Sequence, residues 1–195
     1  MSIPIVKTAG PDDRARLVDV IVLAFVRDPV TRWAFRDPHQ YLEFFPEFVN
    51  AFGGRAFEHA SAHYADQFAG GALWLPPGVH PDEEGLGQVL ERAMGDQIRE
   101  VSALFEQMAR YHPTEPHWYL PLIGTDPARQ GSGVGSALLR HATDICDRDG
   151  VPAYLESSNP RNIPLYERHG FKVLGRIQHG RSPVITPMLR RPRRR

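Results

Sequence analysis

Arg129-Gln130-Gly131-Ser132-Gly133-Val134-Gly135-Ser136 is the stretch on which the reading of this chain turns. It comes after the apolar run Trp118-Tyr119-Leu120-Pro121-Leu122-Ile123, which has the character of a strand, and opens a helical pattern that continues to about Arg148. Gly150 caps that helix. Three alternating glycines leave the backbone free of Cβ atoms, so a phosphate can come close to its N–H groups. The helix that begins here adds unsatisfied N–H groups and the positive end of its dipole. The stretch therefore suits an anion, although a tight strand-to-helix connection would use the same residues.

Three classes of phosphate loop compete for it. A Walker loop requires Gly-x-x-x-x-Gly-Lys-Ser/Thr, and the chain's only lysines are the distant Lys7 and Lys172. A dinucleotide fingerprint would need glycine where Ser136 stands, immediately after its strand. Here Thr125-Asp126-Pro127-Ala128-Arg129-Gln130 intervene. The third class is strand, Asp-Pro, then Gln/Arg-x-x-Gly-x-Gly/Ala and a helix, with Gln130, Gly133 and Gly135 at its marked positions.

Outward from the loop, the second half predicts a strand over Val151 to Glu156, a short helix over Asn162 to His169 ending at Gly170, and final strands at 171–174 and 184–188. The first half is richer in helix. Ile3-Pro4-Ile5-Val6 predicts a short strand, and Leu17, Val20, Ile21, Ala24 and Phe25 share one helical face until Asp28-Pro29 interrupts. A second helix is expected from His39 to Ala51. Residues 62–75 read as a hairpin turning at Gly70-Gly71, and Leu86 to Met108 as one long helix stopped by His112-Pro113. These elements predict one mixed α/β domain over 1–189, with a central sheet of about six to seven strands flanked by helices.

Composition narrows the function classes. The chain has 195 residues, 42% hydrophobic and 24% charged, as in an ordinary globular domain. Its formal net charge is zero, but five of the last six residues are arginine (Arg190, Arg191, Arg193, Arg194, Arg195). Without them the body carries 18 basic and 23 acidic residues, so it offers no basic face for nucleic acid. The run 190–195 is expected to be a solvated, frayed tail. Cys146 is the single cysteine and falls on an apolar helical face, which excludes an internal disulfide and predicts a buried hydrophobe. Nine histidines include no His-Glu-x-x-His or similar metal-ligand spacing, so no metal is expected; His112 and His117 read as surface or pocket-rim residues. No signal-peptide pattern and no apolar run of membrane-spanning length occur, which predicts a cytoplasmic protein without a membrane partner.

The glycine stretch and Asn159-Pro160-Arg161-Asn162-Ile163-Pro164-Leu165-Tyr166-Glu167-Arg168-His169-Gly170-Phe171 together resemble the acetyl-CoA signature and the Asn…Tyr-Glu-x-x-Gly-Phe segment of the GNAT N-acetyltransferase superfamily. The resemblance is close over about residues 113–175; Trp118-Tyr119-Leu120 and Leu155-Glu156-Ser157-Ser158, with Asn162, look most like its puromycin N-acetyltransferase-like branch. It implies direct transfer of an acetyl group from acetyl-CoA to a primary amine of a small molecule. By the same resemblance, N–H groups of Gly131, Ser132, Gly133, Val134, Gly135 and Ser136 would hold the pyrophosphate, with Gln130 at the head of the loop. The edge at Ile123-Gly124-Thr125 would pair with the pantetheine arm, and Asn159 or Asn162 would contact the cofactor. Tyr166 matches the residue facing the departing thiolate. A phenol near pKa ~10 protonating a thiolate near ~8.5 is uphill by roughly 2 kcal/mol, so Tyr166 would act chiefly as a hydrogen-bond donor. Glu156, at a strand end, is the candidate general base.

In that family the N-terminal half shapes the acceptor pocket, and Trp33, Phe35, Tyr41, Phe44, Phe45 and Trp74 are candidates to line it. A protein or aminoacyl-tRNA acceptor, and a non-catalytic acyl-CoA sensor, stay open beside the small-molecule reading. So does a homodimer built on a sheet edge or the Arg tail.

Overall fold

The computed structural model describes residues 3–193; Met1, Ser2, Arg194 and Arg195 lie outside them. Seven strands form one sheet in the order β1-β2-β3-β4-β5-β7-β6. They are β1 (Val6–Thr8), β2 (Ala62–Ala65), β3 (Gly70–Leu75), β4 (Trp118–Thr125), β5 (Ala153–Ser157), β6 (Lys172–Val173) and β7 (Thr186–Arg190). Every pairing is antiparallel except β4 with β5. The helices are α1 (Arg14–Phe25), α2 (Pro29–Ala34), α3 (Pro38–Gly53), α4 (Glu83–Met94), α5 (Ile98–Ala109), α6 (Val134–Asp149) and α7 (Ile163–Arg168).

Alternation along the strands sorts the core into two layers. Leu73, Leu75, Tyr119, Leu122 and Tyr154 pack under α1 and α3–α5, while Ala72, Trp74, Leu120, Leu155 and Met188 pack under α6 and α7. Cys146 lies fully buried in the second layer, its thiol pushed up to about 12 by burial, as its apolar setting predicts.

Several sequence expectations change, the first strand among them, which lies at Val6–Thr8 instead of 3–6. The hairpin turns at Asp66-Gln67-Phe68, all with positive φ, and Gly70-Gly71 belong to β3. Glycine is needed there for closeness instead of turning: a Cβ on Gly71 would sit 2.0 Å from Leu17 Cδ1. The long helix is two, broken at Gly95 by a 3-10 turn over Gly95–Gln97. The expected tail boundary at 190 does not hold, and Arg193 N–H still donates to Asp147 Oδ1 at 2.7 Å. Arg190 closes β7, only 2% exposed, with a two-pronged pair to Asp147 at 2.7 and 2.8 Å. That pair holds the Asp147 carboxyl below its usual range. Burying the β7 end against α6 explains why a charge count alone misplaced the boundary.

Candidate active site

The site opens where β4 leaves β5. Their parallel pairing ends at Leu120 with Leu155. Between Leu73/Leu75 and Leu122/Tyr119 the register slips, because β4 carries one extra residue around Leu120-Pro121. Asp126 N–H bonds Ala69 O at 3.0 Å, so by alternation Leu122 and Gly124 pair with β3. The Trp74 N–H to Ser61 O bond on the far side of β3 fits the same phase. Ile123 and Thr125 therefore direct their N–H groups toward the gap, and Pro121 has none to give β5.

The glycine stretch lies beside this free edge. Gly131 and Gly133 have φ of 77° and 89°, a left-handed conformation that side chains rarely adopt, and a Cβ on either would meet no neighbour. Ala137 N–H makes the first bond of α6, to Gly133 O at 2.9 Å, so the N–H groups of Val134, Gly135 and Ser136 precede the helical ladder. Ser132 Oγ is occupied, donating to Arg129 O at 2.5 Å. Ser136 Oγ lies 2.8 Å from His169 Nε2, which ties α6 to the end of α7. The Ser132 N–H is also taken, by Arg129 O at 3.4 Å, so of the two serines only the Ser136 amide is free for an anion. Val134's side chain is core.

Asn159 Oδ1 accepts from Arg161 N–H at 3.1 Å and thereby starts the one-turn helix Pro160–Asn162 that leads into α7. Tyr166 follows on α7, 5% exposed, with its ring edge-on to Phe171 at 6.1 Å. Burial, and then the nearby Asp28, raise its pKa. Asp28 fills two jobs absent from the sequence reading. Its Oδ1 caps α2 through Val30 and Thr31 N–H, both at 3.0 Å, and its Oδ2 accepts from Ser158 Oγ at 2.6 Å across the gap. Burial raises the Asp28 pKa as well.

Glu156 enters from the opposite face. It shares the side of β5 with Tyr154, toward α3–α5, and its side chain is 3% exposed. Its Oε1 accepts no hydrogen bond, although His112 Nε2 is 3.1 Å away without the alignment for one. Burial and the adjacent Glu156 carboxylate raise the pKa of Tyr119 and of Tyr154. His112 packs its ring 4.6 Å from both tyrosine rings. It belongs to the surroundings of Glu156, a placement no local signal reveals, since 44 residues separate the two.

A cavity of about 660 Å³ joins these parts. Ile123, Gly124, Thr125, Gln130, Gly131, Gly133, Val134, Gly135, Ser136, Asn159, Asn162, Tyr166 and Glu156 all line it; Ser132 does not. Arg129, Arg161 and Arg168 also line it, a local basic character that the acidic body hides in composition. Among the aromatic candidates, Trp33, Phe35 and Phe45 line the cavity. Tyr41 instead bonds Val22 O, Phe44 sits under Arg92, and Trp74 is buried in the other layer. Phe48, Phe52 and Phe105 complete the wall. Among the described residues no group of three or more His, Cys, Asp or Glu is placed to hold a metal ion, and no helix is long and apolar enough to cross a membrane.

Known proteins are similar to this chain in sequence or fold. The chain is 32% identical over 141 residues, 64% of its length, to an uncharacterized N-acetyltransferase of Schizosaccharomyces pombe, and spans 57% of that protein's length. The crystal structure of histone acetyltransferase HPA2 and related acetyltransferase from Corynebacterium glutamicum superposes with a TM-score of 0.73 at 28% identity, covering 100% of this chain and 99% of the other. A Drosophila melanogaster polyamine N-acetyltransferase shares the fold at a TM-score of 0.70 and 13% identity, covering 96% and 99%. The acetyltransferase (GNAT) family model matches residues 32–171, most of the chain, and with the split sheet, the glycine turn and the cavity they frame, this chain belongs to that family.

Proposed function

We propose that the chain moves an acetyl group from acetyl-CoA directly to the primary amine of a small molecule. The observation that carries this reading is the single cavity in which the free edge of β4 and the start of α6 meet Glu156 and Tyr166. Acetyl-CoA supplies an activated thioester when bound, and the residues present suit it. The N–H groups of Gly131, Gly133, Val134, Gly135 and Ser136 fit a pyrophosphate, with Arg129, Arg161 and Arg168 to balance its charge. The free amides of Ile123 and Thr125 fit the amide-bearing pantetheine arm as a strand would. Asn159 and Asn162 line the same cavity.

Glu156 takes the proton from the incoming amine. The nitrogen lone pair then forms the C–N bond, the C–S bond breaks, sulfur leaves with its electron pair, and the proton still in excess on nitrogen passes to that sulfur. Ile123 N–H faces the charge that develops on the carbonyl oxygen. Tyr166 donates a hydrogen bond to the departing sulfur; its raised pKa keeps the proton on the phenol oxygen. His112, beside Glu156 with about a third of its side chain exposed, offers the amine proton a route to water. The fold shared with a polyamine acetyltransferase supports a small amine, as does the enclosure of Glu156. A puromycin-like aminonucleoside is one member of that class.

The test is thiol release from acetyl-CoA with a panel of aminonucleosides, aminoglycosides, polyamines, aryl amines, amino acids and peptides. Release that requires an amine and falls with Tyr166→Phe supports the reading. Release with peptides or aminoacyl-tRNA only would overturn the small-molecule acceptor. Tight acetyl-CoA binding without release from any amine would make the chain a sensor.

A further inference from the structure

We infer that the acceptor is a monoamine with an aromatic or otherwise apolar body, and that diamines, polyamines and amino acids are poor substrates; this rests on the transferase reading above. Among the cavity-lining residues the only carboxylates are Asp28 and Glu156. Asp28 has both oxygens engaged, one by the two N–H groups it caps and one by Ser158. Glu156 alone keeps a buried oxygen without a hydrogen bond. The cavity thus has one place for an amine.

The wall leading away from that place is apolar. α3 sends Phe45, Phe48 and Phe52 into it at helical spacing, and α5 sends Leu104, Phe105 and Met108; none of the lining residues of α3, α4 or α5 carries charge. The rings form a continuous ladder. Phe45 stacks on Phe48 at 5.6 Å, Phe48 meets Phe52 at 5.2 Å, and Phe52 is edge-on to Phe105 at 6.0 Å and to Tyr119 at 6.1 Å. His112 packs 4.6 Å from the Tyr119 ring and reaches within 3.1 Å of Glu156, so the ladder ends beside the candidate base. An amine held there lays its body along Phe52 and Phe105. A second ammonium would be desolvated on this wall with no anion to pair it, and a carboxylate would meet no cation, since the lining arginines belong to the α1–α2 connection, the glycine stretch and the segment around α7. Offset and edge-to-face ring contacts favour an aryl group over an alkyl chain of equal size.

The experiment compares kcat/KM of the full chain, with acetyl-CoA, for 2-phenylethylamine, agmatine, spermidine and phenylalanine. The expected result is at least a hundredfold preference for 2-phenylethylamine over each of the other three. Agmatine, spermidine or phenylalanine leading the series would overturn this inference while leaving the transferase reading intact. No release with any amine, peptides included, would refute that underlying reading itself. Phe105→Glu should raise the agmatine to 2-phenylethylamine ratio at least tenfold, because it places an anion for the second charge. Phe48→Glu is the second variant should the first fail to fold, with retained acetyl-CoA affinity as the control. An unchanged ratio in a folded variant counts against the assignment of this wall to the acceptor.

Discussion

Tyr166→Phe separates two roles for the phenol. As an acid, Tyr166 would surrender its proton to the thiolate; as a dipole, it would hold that proton and bond to the charge. Burial and the Asp28 carboxylate raise its pKa, which favours the second role. A hydrogen bond to a charged partner contributes about 1.5–3 kcal/mol, and this one forms fully only as the C–S bond breaks. At about 1.4 kcal/mol per decade, kcat should fall roughly 10- to 140-fold. The acetyl-CoA Kd should stay within about threefold, because the bond is weak before charge develops. The ring packing on Phe171 survives in phenylalanine, so Tm should move by less than about 4 °C. The assay is thiol release under acetyl-CoA saturation from about pH 6 to 10, for the parent and the variant side by side. A descending alkaline limb that disappears in the variant would show that Tyr166 titrates in turnover and would refute the dipole role. An unchanged kcat would refute any contact with the departing sulfur.

Glu156→Gln should lower kcat/KM for the amine about 10²- to 10⁴-fold by thiol release while calorimetric acetyl-CoA affinity holds, as loss of a general base requires. Gly133→Ala meets no neighbouring atom but forces a side chain to φ of 89°; it should destabilise the fold by about 1–2 kcal/mol in urea and weaken acetyl-CoA binding. Asp147→Asn leaves the buried Arg190 guanidinium without its anion and should cost about 3 kcal/mol, read as a fall in Tm of about 6–12 °C at pH 7. Because the folded Asp147 pKa lies below its ordinary value of 3.8, its contribution is present above that value and is lost as pH falls through the folded one. The parent should therefore lose stability below about pH 4 more steeply than Asp147→Asn, and parallel Tm curves would contradict the pairing.

Much of the fold is legible in local order. The anion-ready turn at Gln130 to Ser136, its helix, and the segment from Asn159 to Phe171 are contiguous, and each follows from backbone rules that act over a few residues. The periodicity of α1, α3 and α6 belongs to the same class, because one buried face per helix writes itself into the spacing. What depends on distant partners escaped. Gly70-Gly71 looks like a turn until Leu17 packs on it, and Arg190 looks like a tail until Asp147 binds it. Glu156 could be singled out as a strand-end carboxylate, but its burial beside His112, Tyr119 and Tyr154 comes from three other segments. Asp28 reads as a helix breaker, and only the approach of β5 brings Ser158 to its free oxygen. The sequence by itself determined where the glycine turn and the start of α6 fall, because helix starts and glycine turns are local. The charge pairing and wall shape of the cavity were decided by tertiary structure alone, since both arise when α3, α5 and the split between β4 and β5 meet.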